Sequence, residues 1–504
     1  MDRQASTCHM VAMPYPGRGH INPMMNLCKI LASRAPHVTI TLVLTEEWLG
    51  LVGSDSKLSN VSFATIPNVL PSERVRAQHF SEFVEAVSTK MEAPFEEVFD
   101  RLCPPPTLIV ADTFLSWAVH VGNQRNIPVA SFWTTAASNF SFLYQLQLHE
   151  QNGHLPQNLS GDEKEDSAPE IPQTRSPLLV DGSVMQKVRL MLNWVPRAQY
   201  LLLSSVYEFE SQTVDALKPS LSFPIYTIGP SIPYFELEGN PRSNSDSNYI
   251  LNWLDRQPGS SVLYLSLGSF LSVSSSKMDE IAVGLRDSNV RFLWVALHEA
   301  SRLKELLPDG DMGIVVPWCD QLRALTHPSV GGFWTHCGWN SIQEGVYAGL
   351  PFLAYPIAMD QGLNCKLVVD DWKVGWRVGE GEGDIAGLVR KFMDSGDDES
   401  RELRRRVEGL RELCRHAIGS DGSSGTNIGA FISDISRDAA KIHDISDSQP
   451  EDSVLFIFLA SFLSVSSDPV GVRKGGVRSC GRVGTPVLGS KKAFAAIGVW
   501  WCPV

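Results

Sequence analysis

The sequence predicts an α/β protein with two domains. Three observations support this class. The chain has 504 residues, more than one compact core usually holds. Short apolar strands alternate with helices along most of its length, and the segment 231–247 is rich in Pro, Gly, Asn and Ser, as linkers are. We therefore expect an N-terminal domain over 1–240, a second domain over 241–440 and an extension over 441–504.

The first domain opens with an apolar run at 8–13 that predicts a buried strand. The turn Pro14-Tyr-Pro-Gly-Arg-Gly-His20 follows, then a helix from near Ile21 and a second strand at 38–44. The glycines at 17 and 19 suggest the phosphate-binding turn of dinucleotide-binding folds. However, Asn22 stands where that fingerprint needs its third glycine, so the motif is weak evidence for a nicotinamide-dependent oxidoreductase.

Polar side chains close two further predicted strands of this domain. The run 108–111 ends at Asp112, and the run 128–134 ends in Trp133 and Thr134. Asp112 suits the N-cap of the next helix, or a functional position at the carboxyl edge of the sheet, where ligands of open α/β sheets bind. The remaining predictions are a helix over 136–148, a surface loop over 150–182 and a strand over 200–204, with the run 225–230 ending the domain.

The second domain alternates in the same way. Strands are expected at 262–267, 291–296 and 314–317. The first of them is followed by the turn Gly268-Ser269, which lies at a strand's carboxyl end. Gly-Ser turns are common in unrelated loops, so this pair says little by itself.

The stretch from Trp318 to Gln361 carries the clearest functional pattern. Within it we predict a strand at 330–335, a glycine-containing turn at 336–340, a helix at 341–348 with Gly349 as its C-cap, and a strand at 350–355. In such a βαβ unit, the turn presents backbone N–H groups at the N-terminus of the helix. Such a terminus favours the binding of phosphate groups.

Single residues of this stretch also have structural interpretations. Ser341 and Glu344 have the spacing of a capping box, which any helix can use. Trp318, Trp334 and Trp339 suit a hydrophobic core, and Cys337 suits an inert buried thiol. The whole set is much harder to explain in this way than any one member.

The stretch 318–361 closely resembles the signature box of the plant UDP-dependent glycosyltransferases, and the match runs from Trp318 to Gln361 without a gap. The resemblance implies an α/β fold with two facing Rossmann-like domains of the GT-B type, each built around a doubly wound parallel sheet. It also implies a UDP-sugar as co-substrate, with no cofactor. The helix N-terminus can do the work of a cation and no Asp-x-Asp motif is present in the box, so no metal is expected.

The resemblance further implies a role for each residue of the donor site. Trp318 would stack on uracil, Gln321 would bond the nucleoside, and Glu344 would accept from ribose hydroxyls. The other implied donor contacts are His336, Trp339, Asn340 and Ser341 near the pyrophosphate, Ser269 at the diphosphate, and Thr134, Asp360 and Gln361 at the sugar. Glutamine at the end of the box predicts UDP-glucose as donor, because an amide offers both a donor and an acceptor to adjacent hydroxyls.

The resemblance makes His20 the catalytic base and Asp112 the carboxylate that holds it. Histidine, with an unperturbed pKa of about 6.5, suits this work near neutral pH. We place His20 at the carboxyl end of the first strand; His9, at its beginning, should be structural. The expected reaction is transfer of glucose, with inversion, to a hydroxyl of a small lipophilic acceptor such as a flavonoid or another phenol. A non-catalytic nucleotide-sugar binder is the alternative, although it would not need His20 and Asp112.

Composition limits the partners. A net charge of -13 argues against nucleic acid and anionic membranes, which both favour basic surfaces. The nine cysteines show no disulfide or zinc pattern, and residues 1–7 lack the apolar core of a signal peptide, so we expect a cytosolic monomer. The resemblance fades after Asp438, near the end of a helix expected at 427–440. The apolar run at 453–465 is too short to span a bilayer, and we expect 441–504 to be a disordered extension without assigned function.

Overall fold

The structure is a computed structural model that describes residues 8–53, 59–73, 75–76, 79–151, 182–237, 245–268, 273–307, 309–379 and 383–448. These residues form two parallel sheets with helices around them. The predicted α/β class with two doubly wound sheets is confirmed. Ser269, nearly all of the loop predicted at 150–182, and the segment 449–504 lie outside the described residues.

In the described chain, the first sheet has seven parallel strands in the order β3-β2-β1-β4-β5-β6-β7. They are β1 (Cys8–Met13), β2 (Val38–Thr45), β3 (Val61–Ile66), β4 (Leu108–Asp112), β5 (Val129–Trp133), β6 (Tyr200–Leu203) and β7 (Ile225–Thr227). Every residue of β1, β4 and β5 is buried, as expected for central strands of a parallel sheet. The sequence analysis missed β3, because this edge strand is mostly half-buried and its pattern is only weakly apolar.

The helices of this half are α1 (Arg18–Arg34), α2 (Glu46–Val52), α3 (Phe80–Lys90), α4 (Glu92–Phe99), α5 (Ser116–Gln124), α6 (Ala137–Gln151), α7 (Gly182–Leu192) and α8 (Ser211–Leu217). The predicted start of the first helix near Ile21 was three residues late. Arg18 and Gly19 are exposed, and the buried residues of α1 begin at Ile21. The apolar pattern therefore marked the beginning of the buried stripe instead of the beginning of the helix.

The second sheet has six parallel strands within the described ranges, in the order β10-β9-β8-β11-β12-β13. They are β8 (Val262–Ser266), β9 (Arg291–Val295), β10 (Gly313–Val316), β11 (Val330–Thr335), β12 (Phe352–Ala354) and β13 (Gly375–Arg377). The strand expected at 350–355 is shorter than predicted, since Pro351 has no N–H to donate to a ladder. The three-residue β13 was missed, because so short a run has no readable period.

The helices of the second half are α9 (Ser245–Leu254), α10 (Ser275–Ser288), α11 (Ala300–Leu306), α12 (Gln321–Leu325), α13 (Trp339–Ala348), α14 (Gln361–Lys366), α15 (Ile385–Met393), α16 (Asp398–Ala417) and α17 (Ser423–Ser448). Gly349 ends α13 in a left-handed conformation with a φ of 77°, as predicted. Among the residues that the structure describes, no helix is both long enough and apolar enough to cross a membrane.

The last helix, α17, packs on the first sheet. Phe431 is fully buried, and its ring contacts those of Tyr200 and Tyr226 from β6 and β7. Asn427 donates to the backbone carbonyl of Thr227 at 3.0 Å. The helix runs to Ser448, so the first eight residues of the range predicted as an extension, 441–448, are helical. The domain boundary predicted at residue 240 falls in the segment 238–244, which is not described, and it stays a prediction.

The strand order determines which residues meet. β1 lies between β2 and β4, and β4 lies between β1 and β5. All these pairs are parallel, so the residues that follow β1, end β4 and follow β5 come together at one edge of the sheet. In the second sheet, β8 and β11 are parallel neighbours, so the residues that follow them also meet at one edge. The loops that follow the strands of the first sheet and those that follow the strands of the second sheet form the walls of one large cavity.

Candidate active site

The cavity has a volume of about 1300 Å³ and is lined by residues from both sheets' carboxyl edges. From the first half it takes Tyr15, His20 and Thr134, and from the second Trp318, Asn340 and Asp360. Most of the residues that the resemblance implicated therefore face one common space, although they are separated by up to 341 positions in the sequence. Sequence proximity had connected only those within the box 318–361.

His20 lies in the first turn of α1. It was predicted in the turn between β1 and this helix, whereas the structure places it on the helix that begins at Arg18. Its side chain is 21% exposed and faces the cavity. Tyr15 and Phe114 flank the imidazole, with ring centroids 5.1 and 5.7 Å away. The histidine thus combines contact with the cavity and a partly apolar surrounding.

Asp112 is the last residue of β4 and holds His20. Its Oδ2 lies 2.8 Å from Nδ1 of His20, and its Oδ1 accepts a 3.0 Å hydrogen bond from the backbone N–H of Phe114. The alternative of a helix N-cap is wrong, because α5 begins at Ser116 with Leu115 in the cap position. An ionised carboxylate can only accept, so Nδ1 carries the hydrogen and Nε2 of the neutral ring has the free lone pair.

Thr134 follows β5 and also contacts His20. Its Oγ1 lies 2.9 Å from Nδ1, the same nitrogen that bonds Asp112. The threonine is only 3% exposed, yet it lines the cavity. The sequence analysis connected Thr134 with the donor sugar and had no signal for this contact with the histidine.

The turn after β11 delivers the N-terminus of α13 to the cavity. The turn is shorter than the predicted 336–340, because α13 begins at Trp339 with Gly338 in the N-cap position. No side chain caps this terminus. The capping-box interpretation of Ser341 and Glu344 is therefore wrong: Ser341 is the third residue of the helix. The first N–H groups of the helix have no partner within it, so they remain available to an anion.

Oδ1 of Asn340, beside this terminus, is a buried polar atom without a partner among the described residues. His336 lines the cavity in the same turn. Burial lowers the pKa of His336 to about 4, against a hydrogen bond to the backbone of Ser266 that raises it. His336 is therefore neutral at physiological pH, and it meets a ligand as a dipole instead of a cation.

Gly268, at the end of the β8 strand, makes room for this histidine. Its φ of 91° is in the left-handed region that glycine tolerates. A Cβ at this position would lie 3.0 Å from ring atoms of His336. A side chain at 268 would thus be strained and would press on the imidazole, which gives the glycine of the predicted Gly268-Ser269 turn a specific role.

A hydrogen-bonded network forms the wall next to the exposed indole of Trp318. Nε2 of Gln321 donates to Oγ of Ser341 at 3.0 Å and to Oε2 of Glu344 at 2.5 Å, and the hydroxyl of Tyr264 donates to Oε1 of Gln321 at 3.2 Å. Burial raises the pKa of Glu344 to about 7; the bond from Gln321 opposes this shift. Trp318 is 50% exposed, so the core interpretation is wrong for this tryptophan.

Unlike Trp318, Trp334 and Trp339 are core residues, as the structural interpretation expected. Trp334 is fully buried, and Trp339 is 3% exposed and donates from its indole to the backbone carbonyl of Ser204 at 2.5 Å. Trp339 still reaches the cavity wall as the first residue of α13. Its indole therefore joins the two halves of the chain. What this residue offers a ligand is its backbone at the N-terminus of α13.

Asp360 and Gln361 lie at the start of α14 and line the cavity. Burial raises the pKa of Asp360, although Asn364 donates to its Oδ2 at 2.8 Å. Oε1 of Gln361 accepts from the backbone N–H groups of Ile357 at 2.8 Å and Ala358 at 3.0 Å. The expectation that this amide offers both a donor and an acceptor is thus corrected: its acceptor is occupied, and only its NH₂ group is available.

Sequence reasoning missed the residues that join the halves beside this site. Asn139 of α6 donates to Oδ1 of Asn364 at 2.8 Å, and both side chains are buried. Asn364 in turn donates to the backbone carbonyl of Cys337 at 3.0 Å. Asn364 stands four positions after Asp360, a spacing that could have suggested contact on a helix. Nothing in the sequence pointed to Asn139.

Known proteins provide an independent comparison. A family model described as UDP-glucoronosyl and UDP-glucosyl transferase matches residues 240–378. The curated relative UDP-glycosyltransferase 87A2 of Arabidopsis thaliana is 48% identical over 444 residues, which cover 85% of this chain and 97% of the relative. UDP-glycosyltransferase 87A1 of the same plant is 48% identical over 442 residues, which cover 84% and 100%.

Solved structures share the fold. Medicago truncatula UGT71G1, crystallised with UDP-glucose, is 24% identical with a TM-score of 0.68 over 86% of this chain and 100% of that chain. Os79 from O. sativa, in complex with UDP, is 24% identical with a TM-score of 0.71 over 84% and 100%. These similarities establish the GT-B arrangement that the resemblance had implied.

The predicted resemblance is therefore confirmed along most of the chain. It extends beyond the signature box to the whole length of relatives that are nearly half identical. The nicotinamide-dependent alternative has no support in these relatives. The chain belongs to the plant family 1 UDP-glycosyltransferases, enzymes that transfer a sugar from a UDP-sugar co-substrate and require no metal ion.

Proposed function

We propose that this enzyme transfers glucose from UDP-glucose to a hydroxyl of a small, lipophilic aromatic acceptor, with inversion at the anomeric carbon. The observation that carries the proposal is the 2.8 Å contact of Asp112 with His20, which lines the same cavity as residues of the signature box. A non-catalytic binder would have no use for an imidazole oriented in this way.

His20 is the proposed general base. Because Nδ1–H is held by Asp112, the lone pair on Nε2 is available to take the proton of the acceptor hydroxyl. The acceptor oxygen then attacks the anomeric carbon from the side opposite UDP. The bond to the phosphate oxygen breaks in the same displacement, so an α-linked donor gives a β-glycoside. Asp112 stabilises the imidazolium that forms.

The leaving diphosphate is proposed to bind at the N-terminus of α13. The unpaired N–H groups of this terminus and the helix dipole favour the negative charge that develops there. His336 and Asn340 also line the cavity at this terminus. His336, neutral near pH 7, would contribute as a hydrogen-bonding dipole. Ser269 remains a proposed diphosphate contact from the resemblance.

The nucleoside is proposed to bind at the wall formed by Trp318, Gln321 and Glu344. The exposed indole of Trp318 offers a flat face on which uracil can stack. The carboxylate of Glu344 can accept from two ribose hydroxyls when it is ionised. Asp360 and the free NH₂ group of Gln361 are the proposed acceptor and donor for hydroxyls of the sugar.

The acceptor is proposed to bind next to His20 on the first half. Aromatic side chains dominate this part of the cavity: Tyr15, Phe80, Phe83, Phe114 and Phe142. Tyr15 contacts both Phe83 and Phe114 edge to face, so the three rings form a continuous apolar wall. Such a wall favours an acceptor with aromatic rings, for example a flavonoid or another phenol. It also supports an acceptor domain over 1–240 and a donor domain over 241–440.

One chain carries the complete set of proposed site residues, which supports a monomeric enzyme. The seven cysteines in the described part of the chain are free thiols, as proteins of the reducing cytosol usually have. The function is tested by incubating the purified enzyme with UDP-glucose and a panel of phenols and identifying products by mass spectrometry. We expect a mass gain of one hexose and a β-linkage by NMR. An α-linked product, or UDP binding without transfer to any phenol, would contradict the proposal.

A further inference from the structure

We propose that Thr134 is a positioning residue for His20: its hydroxyl and the carboxylate of Asp112 together fix the imidazole through the same nitrogen. This inference rests on the proposed role of His20 as the base. It gives Thr134 a function in the rate of transfer, whereas the resemblance implied a contact with the donor sugar.

The geometry is a three-centre hydrogen bond. Oγ1 of Thr134 lies 2.9 Å from Nδ1 of His20, and Oδ2 of Asp112 lies 2.8 Å from it. Nδ1 has a single hydrogen, and the carboxylate can only accept it. The hydroxyl oxygen of Thr134 therefore shares that hydrogen as a second acceptor. Rotation of the ring away from its working orientation would break both contacts at once.

Thr134 is itself held in place on both sides. The indole of the preceding Trp133 donates to the backbone carbonyl of Ala136 at 2.9 Å, which closes the turn after β5. The carboxylate of Glu210 accepts from the backbone N–H groups of Ala137 at 2.9 Å and Ser138 at 2.8 Å, which fixes the start of α6. The threonine lies between these two anchors and is almost completely buried. A hydroxyl in such a turn can orient a more exposed imidazole.

The chemistry explains why the effect should appear in the rate. A hydroxyl has two lone pairs and one proton, so accepting from Nδ1–H leaves the proton of Thr134 for another acceptor. When His20 takes the proton of the acceptor substrate, the ring becomes a cation. The hydroxyl oxygen and the carboxylate then both face the positive Nδ1–H, and hydrogen bonds to charged groups are the stronger ones. The contact is therefore strengthened as the reaction proceeds.

The test compares Thr134→Val, which keeps the shape and removes the hydroxyl, with Thr134→Ser, which keeps the hydroxyl. We expect Thr134→Val to lower kcat about 10- to 100-fold, the range for losing a hydrogen bond to a charged group. Its Kd and KM for UDP-glucose should stay within about twofold of those of the unmodified enzyme. Thr134→Ser should recover most of kcat. Thr134→Ala repeats the comparison with a smaller side chain if the valine variant folds poorly.

The chain offers a matched control in a second threonine–histidine pair. Oγ1 of Thr41 lies 2.9 Å from Nε2 of His9; both residues are buried, and neither lines the cavity. Thr41→Val removes this bond, which has the same length, together with the 3.1 Å hydrogen bond between Thr41 and Ser62. We expect it to lower the melting temperature while kcat stays unchanged, which separates a general loss of stability from a loss of orientation at His20.

The outcomes separate this inference from the proposed function. If Thr134→Val raises KM for UDP-glucose and leaves kcat intact, the hydroxyl serves the sugar and the inference is wrong. Normal kinetics of Thr134→Val beside an inactive His20→Ala would overturn the inference alone. If His20→Ala itself retains turnover, the proposed base is wrong and the inference falls with it.

Discussion

The side-chain amide of Asn340 donates a 3.0 Å hydrogen bond to the backbone carbonyl oxygen of Gly19, the residue before His20. Asn340 is the second residue of α13, where the diphosphate is proposed to bind. Its other polar atom, Oδ1, is buried without a partner among the described residues. A single amide thus connects the proposed phosphate site with the backbone that carries the proposed base, although the two lie in different halves of the chain.

We expect Asn340→Ala to lower kcat/KM for UDP-glucose about 10- to 150-fold, because it removes the bond that holds the N-terminus of α13 to Gly19, the residue before the proposed base. Asn340→Asp should be more severely impaired, since a carboxylate would face both the carbonyl of Gly19 and the phosphates. Steady-state kinetics with UDP-glucose checks both variants. Asn427→Ala is the control: it removes an amide that bonds Thr227, neither residue lines the cavity, and its kinetics should be normal. Normal kinetics of Asn340→Ala would remove the connection from the mechanism.

His20→Ala should abolish transfer and leave UDP binding intact, because the base and the nucleotide site are on different halves. The loss of a general base typically costs about 10²- to 10⁴-fold in rate. Turnover and calorimetric titration with UDP check the two parts. His9→Gln is a matched control, since His9 is buried and bonds Thr41 and the carbonyl of Pro104 away from the cavity. It should lower stability and preserve turnover; a His20→Ala variant that behaves in the same way would exclude the proposed base.

Affinity for UDP-glucose should fall as the pH drops below about 7, because Glu344 titrates there. Burial raises its pKa to about 7, with Asp320 adding to the shift, and only the ionised form accepts from both ribose hydroxyls. We expect a loss of up to about tenfold per pH unit in calorimetric titrations between pH 8 and 6. UDP-glucose is the ligand of choice, because the terminal phosphate of UDP titrates near pH 6 itself. Glu344→Gln should remove the slope; a slope that persists in this variant would assign it to another group.

The same shift affects stability with the opposite sign. In the folded chain the pKa of Glu344 is higher than its ordinary value of 4.5, so the folded state binds the proton more tightly than the unfolded state. The stabilising contribution is complete below about pH 4.5 and is lost as the pH rises through about 7. The glutamine of Glu344→Gln cannot ionise, so the variant does not lose this stability as the pH rises. In the absence of ligand, the difference between its melting temperature and that of the unmodified enzyme should therefore shift in favour of the variant from pH 5 to pH 8.

UDP-glucose should be preferred to UDP-galactose, and Gln361 should carry part of the preference. Its carbonyl is occupied by Ile357 and Ala358, so the sugar meets only its NH₂ group. A hydroxyl inverted at C4 would leave a buried partner unpaired, which costs about 1–3 kcal/mol, or roughly 5- to 150-fold in preference. Competition of both donors at equal concentration for one phenol measures the ratio. An equal or reversed ratio would contradict the assignment.

The variant Gln361→Glu tests the contribution of the NH₂ group alone, because it replaces that group with an oxygen and keeps the acceptor. One oxygen of the new carboxylate can still accept from Ile357 and Ala358, but the other oxygen cannot donate to the sugar. We therefore expect lower kcat/KM for UDP-glucose and a smaller preference over UDP-galactose, with little change in the melting temperature. Gln361→His lacks an oxygen acceptor for the two backbone N–H groups, and it should lower the melting temperature as well.

Local patterns in the sequence determined most of the architecture. The buried strands β1, β4, β8 and β11 were predicted within one residue at each end, because central strands of parallel sheets are continuous apolar runs. The signature box was recognised by its resemblance to that of the plant UDP-dependent glycosyltransferases. The starts of α1 and α13 and the short strand β13 were misplaced or missed, because exposed first turns and three-residue strands have little hydrophobic pattern.

Only the tertiary structure decided how the polar side chains are used. Thr134 and His20 are 114 positions apart and meet because β1, β4 and β5 are neighbours in one sheet. The amide of Gln361 is half occupied because the backbone at Ile357 and Ala358 turns toward it. A sequence pattern encodes the local conformation of the backbone and the face that is buried. The partner of a given donor or acceptor depends on the distant segments that packing brings within 3 Å, and that information exists only in the folded chain.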